Sequence, residues 1–138
     1  MKSLRMSKQD IKDEFKNMDG DPQVKGRIRR IQMEMSRKRM MANVPDADVV
    51  ITNPTHYAIA LKYDKEVDSA PKMIAKGIDF IAVKIKNVAK ENDIPIIENP
   101  ALARALHDQI ELEQQIPSEF YKALAEIFSY VYELKKKR

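Results

Sequence analysis

Cysteine and tryptophan are both absent from this chain. Without cysteine there is no disulfide, no thiolate nucleophile and no thiolate metal ligand, and a reducing, cytoplasmic setting is compatible. Histidine occurs only as His56 and His107, too few for an imidazole zinc site without thiolate help. Glycine occurs three times, at Gly20, Gly26 and Gly77, so no glycine-rich loop is available to cradle a phosphate or a dinucleotide. No apolar run approaches the length of a membrane helix, and none reads as the core of a signal peptide. Neither a cofactor nor a metal is expected.

What is present is the composition of one ordinary domain with a polar extension. The 138 residues are 43% hydrophobic and 33% charged, which fits the soluble globular class. The net charge of +4 is unevenly placed. Up to Asn53 there are 12 Lys and Arg against 8 Asp and Glu; beyond it there are 13 of each. Most of the excess lies in Lys25, Arg27, Arg29, Arg30, Arg37, Lys38 and Arg39.

Periodicity divides the chain further. Residues 6–18 and 22–42 read as two helical stretches, separated by Asp19-Gly20-Asp21-Pro22, with Pro22 opening the second. Their apolar stripe is thin: Ile11 and Phe15, then Val24, Ile28, Ile31 and Met35. A solvated linker helix buries little of itself in this way. From Val44 the pattern becomes globular. Strands are expected over about Asp48–Thr52 and Tyr57–Tyr63, and a helix over Pro71–Lys90, where Ile74, Ile78, Ile81, Ile85 and Val88 recur at spacings of four and three. A short buried strand follows at Pro95–Glu98. Asn99 then caps a helix that starts at Pro100 and runs to about Gln109. Ile110–Ile116 is extended, and Pro117 opens a last helix with the stripe Phe120, Leu124, Ile127, Val131 and Leu134. The expected fold class is α/β: a small mixed β-sheet surrounded by helices, with a long N-terminal linker helix. Residues 1–43 form the basic linker and 44–138 the globular domain. Tyr57 to Ile97 is expected to make a right-handed strand–helix–strand crossover.

The chemically distinctive segment is Asn53-Pro54-Thr55-His56, the loop between the first two strands. An asparagine side-chain amide can attack its own backbone carbonyl, close a five-membered succinimide and expel the next residue's nitrogen. That route usually loses to deamidation, in which the following backbone N–H attacks the side-chain carbonyl. Proline has no N–H, so the competing route is closed at Asn53. The departing Pro54 nitrogen needs a proton, and imidazole is the side chain suited to proton transfer at neutral pH, which gives His56 an accessory role. Thr55 can hydrogen-bond the turn backbone and has a conformational role. Read as a plain turn, the segment needs no chemistry at all; Asn99-Pro100 shows the same dipeptide fully explained as a helix cap.

Asn53-Pro54-Thr55-His56 resembles the self-cleavage motif of the FlhB/YscU family, the export-switch proteins of flagellar and virulence type III secretion systems. The resemblance extends to Ala70-Pro71-Lys72, Ala75-Lys76-Gly77, Pro100-Ala101-Leu102-Ala103-Arg104-Ala105-Leu106, and Gln114-Gln115-Ile116-Pro117. Asp21 to Arg29 resembles the stretch leading into the domain in the flagellar branch. The motifs occur in order over nearly the whole chain. The resemblance implies single-turnover cleavage between Asn53 and Pro54, not a turnover enzyme, and a switch of export-substrate specificity. It implies as partners export substrates and their chaperones, a length-control protein and other export-gate membrane components. It also implies a membrane region preceding this domain, placement at the cytoplasmic face of the bacterial inner membrane, and two cleavage fragments that stay associated.

Two rival readings are weaker. Asn-Pro-Pro-Tyr-like segments occur in amino-methyltransferases, and Thr52 to Tyr57 is loosely similar, but the glycines for a cofactor loop are missing. The basic run from Lys25 to Arg39 is the alternative: a nucleic-acid-binding module or an anionic-membrane contact. No aromatic residue is interleaved with it, which disfavours single-strand binding, so no nucleic-acid partner is expected. Lys135 to Arg138 suits a helix C-terminus, and His107 has no assigned role.

Overall fold

The computed structural model describes residues 20–54 and 56–136. The expected helical stretch 6–18 and residue Thr55 lie outside them. The backbone divides into two compact units, Met1–Lys38 and Arg39–Arg138.

Helix α1 spans Pro22–Asn43. Asp21 starts it: its Oδ1 accepts the Gln23 N–H at 2.9 Å, and Pro22 fills the first position, where a missing N–H costs nothing. Within the first unit the thin stripe leaves Ile31, Met33 and Met35 exposed. In the second unit Met40, near the end of α1, is buried, and a short 3₁₀ turn, Val44–Asp46, leads into the sheet.

Four strands form that sheet: β1 (Val49–Asn53), β2 (Tyr57–Lys62), β3 (Lys72–Ile78) and β4 (Ile96–Glu98), in the order β3-β2-β1-β4. β1 is antiparallel to β2 and parallel to β4; β2 is antiparallel to β3. Alternate residues of a strand face opposite sides. Val49 and Ile51 therefore join a core with Ile59, Leu61, Leu106, Leu124 and Phe128. Val50 joins another with Met40, Val44, Ala60, Ile74 and Ile85. Covering both faces are α2 (Asp79–Glu91) on one side and α3 (Pro100–Gln109) with α4 (Tyr121–Lys136) on the other. This explains the unbroken apolar run Val49-Val50-Ile51: β1 is buried on both faces.

The expected helix over Pro71–Lys90 is half strand. Lys72–Ile78 pairs with β2, and the helix starts only at Asp79. A spacing of four suits a strand as well as a helix, since both return a residue to the same face. Gly77 marks the difference: a Cβ there would run into the side chain of Ile81 where the strand turns into α2. The crossover accordingly joins β3 to β4 through α2, not β2 to β4. β4 is half-buried at Ile96 and Ile97 and exposed at Glu98, because it is the sheet's edge. Ile110–Ile116 is a turn ending in an isolated bridge between Lys72 and Gln115. A 3₁₀ turn, Ser118–Phe120, precedes α4.

Candidate functional site

Asn53 is the last residue of β1, and Tyr57 opposite it is the first of β2. The strand end is pinned on both sides. Asn53 pairs with Tyr57 in the β1–β2 register, and the Asn99 N–H donates to the carbonyl of Thr52 at 2.9 Å, tying the end of β1 to the start of α3. Asn53 is half-buried; Pro54 and His56 are exposed. Thr55 lies outside the described residues.

Within this turn the His56 N–H donates to the carbonyl oxygen of Asn53 at 3.0 Å. That carbonyl carbon is the atom a cyclising asparagine attacks, and a donor on its oxygen stabilises the charge that develops there. Among the described residues the Asn53 side chain has no hydrogen-bond partner, so its amide is not held in a competing role. Pro54 lacks the N–H that deamidation would use, and in such a cyclisation its nitrogen would be the one to depart.

Two groups from α2 hold the downstream half of the turn. The Asp79 N–H donates to the His56 carbonyl at 3.0 Å, and Asp79 Oδ1 lies 3.5 Å from His56 Nδ1. Lys86 Nζ donates to the Pro54 carbonyl at 3.2 Å. Asp79 takes this place with φ of 47°, a left-handed conformation that aspartate tolerates better than most residues and that β-branched ones avoid. The His56 side chain is 64% exposed, which leaves it in reach of solvent protons.

Asn53, His56, Tyr57, Ile78, Asp79 and Arg104 line an open cleft of about 360 Å³. Its far wall, α3, is fixed at both ends: at the start by the Asn99–Thr52 bond, and at the finish by Lys76, whose Nζ donates to the carbonyls of His107 and Ile110 at 3.0 and 2.8 Å. His107, to which the sequence assigns nothing, packs its ring edge-on against Tyr57 at 5.0 Å and bonds Asp108 through Nδ1 at 3.0 Å. Sequence reasoning missed Asp79, Lys86 and Arg104 as neighbours of the turn. Arg104 stands in a quoted motif, but nothing short of the fold puts it beside Asn53. The basic residues of α1 from Lys25 to Lys38 are exposed, as a solvated helix face requires.

Comparison with known proteins bears on the family and the fold. The family model described as the FlhB HrpN YscU SpaS family matches residues 1–131. The flagellar biosynthetic protein FlhB of Bacillus subtilis (strain 168) is 58% identical over 136 residues, which are 99% of this chain and 38% of that protein. The chain thus spans little more than a third of the length of such relatives. The crystal structure of the cytoplasmic domain of FlhB from Shewanella putrefaciens matches with a TM-score of 0.70 at 46% identity, over 73% of this chain and 78% of that one. A crystallised EscU C-terminal domain carrying an asparagine-to-alanine mutation matches with a TM-score of 0.64 at 33% identity, over 67% of this chain and 92% of that one. A family match over nearly the whole sequence and a shared mixed-sheet fold lead to one conclusion: this chain belongs to the FlhB, HrpN, YscU and SpaS family.

Proposed function

We propose that this chain is the self-cleaving cytoplasmic part of a flagellar type III protein-export component, and that its cut between Asn53 and Pro54 switches the class of substrate exported. The observation that carries the reading is the turn itself: an asparagine whose side chain is unengaged among the described residues, a carbonyl already receiving the His56 N–H, and a proline that blocks deamidation. The relatives' description as flagellar biosynthetic proteins supports the export role, and the crystallised EscU domains mutated at an asparagine or at the proline after it support the cut.

In the reaction Asn53 Nδ2 bonds to the Asn53 carbonyl carbon, the bond from that carbon to the Pro54 nitrogen breaks, and the proton lost by the amide is made up at the Pro54 nitrogen. His56 is the group nearest in sequence that can relay it. Water then opens the succinimide. Asn53 is consumed, so the chain acts once. The role of Thr55 is to hold the turn. Residues 1–43 serve as the basic linker from a membrane region at the cytoplasmic face of the inner membrane. Export substrates, chaperones, a length-control protein and other export-gate components are the partners.

The two fragments stay together because the upstream one ends in β1, the strand that is buried on both faces. Val49, Val50 and Ile51 are fully buried, and each such side chain contributes roughly 1.5–3 kcal/mol by burial. Mass spectrometry of denatured protein tests the cut: it should show fragments 1–53 and 54–138, while size exclusion under native conditions shows one species. A single intact mass after long incubation counts against the reading.

A further inference from the structure

Cleavage creates a charge that the uncut turn lacks. Whichever bond of the succinimide water opens, residue 53 finishes with one carboxylate and one amide, so one negative charge appears at the end of β1. This site is half-buried and faces the cleft that Arg104 also lines. We propose that Arg104 is the counter-ion of this new terminus: a carboxylate-binding group that is idle before the cut and holds the upstream fragment after it. The inference rests on the self-cleavage reading above.

Three observations support Arg104 in this part. First, it is exposed on α3, and among the described residues its guanidinium makes no ion pair or hydrogen bond. An arginine whose fork is unoccupied can take a carboxylate in two parallel hydrogen bonds without losing an existing one. Second, α3 is not free to move away. The Asn99–Thr52 bond fixes its start one residue from Asn53, and Lys76 fixes its finish. The guanidinium therefore stands on a rigid support beside the strand end. Third, the other charged groups near the turn do not compete for this part. Asp79 repels a carboxylate, and Lys86 is bonded to the Pro54 carbonyl, on the far side of the broken bond.

The cut then works asymmetrically. The upstream end gains an anchor in Arg104. The downstream end becomes a protonated secondary amine that is no longer joined to β1 and keeps its Lys86 bond through the Pro54 carbonyl. A fragment that is cut is thereby retained, while the turn's downstream half is released from β1 to present a new surface.

The test is a double-mutant comparison of unfolding rates at one fixed urea concentration, in the cleaved chain and in the uncut Asn53→Ala chain. Denaturing mass spectrometry first establishes which chains are cut. In the cleaved chain Arg104→Gln should speed loss of the folded complex by about two- to fivefold, the range open to an exposed ion pair. Raising the salt should shrink that difference. Arg104→Lys should restore only part of the wild-type rate, because lysine keeps the charge but not the fork. In the uncut chain Arg104→Gln should change nothing, because residue 53 carries no carboxylate and the Asp79 carboxylate makes no ion pair with Arg104 among the described residues. Equal acceleration in both backgrounds makes Arg104 merely structural and overturns the proposal while leaving the cleavage reading intact. An Arg104→Gln chain that stays whole assigns Arg104 to the cutting step and overturns it equally. A wild-type chain that stays whole removes the cleavage reading and this one with it.

Discussion

Asn-Pro occurs twice in this chain, in two different backbone settings. Asn99 is the cap of α3: its Oδ1 accepts the Leu102 N–H at 3.2 Å and its carbonyl accepts the Ala103 N–H at 2.9 Å, the first bond of the helix. Pro100 occupies the first helical position. Both ends of that asparagine are thus occupied in holding a helix, and its amide has no route back to its own carbonyl without breaking the cap. Asn53 is likewise followed by proline, but in a strand-ending turn. Its carbonyl receives the His56 N–H and its side chain is unengaged among the described residues. The dipeptide supplies the chemistry; what the backbone does after it decides whether the chemistry is available. Both carbonyls accept an N–H; the helix also engages the side chain of its asparagine, which the turn, among the described residues, does not.

The largest expected effect comes from removing the nucleophile at one copy and then the other. Asn53→Ala should abolish the cut while the fold persists, since alanine keeps the strand pairing with Tyr57. Mass spectrometry of the variant after long incubation should find only the whole chain; the same two fragments would point to a contaminating protease. Wild-type protein should yield no fragment ending at Asn99 in the same spectra, and its appearance would break the comparison outright.

Pro54→Ala should give the next largest change. It restores the N–H that proline lacks, so deamidation of Asn53 competes with chain cleavage. Deamidated whole chain should accumulate at the expense of the fragments. Undiminished cleavage would mean that the turn geometry, and not the missing N–H, protects the scissile bond.

His56→Ala should slow the cut by no more than about a hundredfold, the lower end of what general acid–base groups contribute. Its side chain is exposed, so water and buffer can replace it. The His56 N–H to the Asn53 carbonyl survives the substitution. Rates should recover partly with added imidazole; a complete loss of cutting that imidazole does not relieve would move His56 from proton relay to turn architecture.

The smallest effect belongs to Asn99→Ala. It removes a cap worth about 1 kcal/mol and should lower the urea midpoint of the whole domain by a matching amount, with the cutting rate unchanged within twofold, roughly what a loss of stability alone allows. A large fall in cutting would show that the start of α3 positions Asn53 more tightly than the single Asn99–Thr52 bond indicates.

Much of the fold was legible. The helix Pro100–Gln109 matches its expected bounds because asparagine and proline mark its start unambiguously. α4 shows its stripe, with Leu124, Ile127 and Val131 buried. β1 and β2 appear where apolar runs flank the turn. β3 was not legible. Ile74 and Ile78 stand four apart, and a spacing of four keeps one face in a strand and one face in a helix alike. Only pairing to β2 chose between them. The crossover moved with it, from β2–β4 to β3–β4.

The sequence by itself determined which chemistry is open to Asn53 and the two strands that flank it. A reactive side chain, a blocked N–H and a turn between two apolar runs are all local facts, set by residues next to one another. Tertiary structure alone decided the surroundings. Asp79 and Lys86 reach the turn from α2 and Arg104 from α3, across sequence separations that no short-range pattern records. It would decide the fate of the proposed cut as well. β1 lies between β2 and β4 with both faces buried, and a strand held on four sides stays in place when one bond at its end is broken, because hydrogen bonds and burial are spread along its whole length.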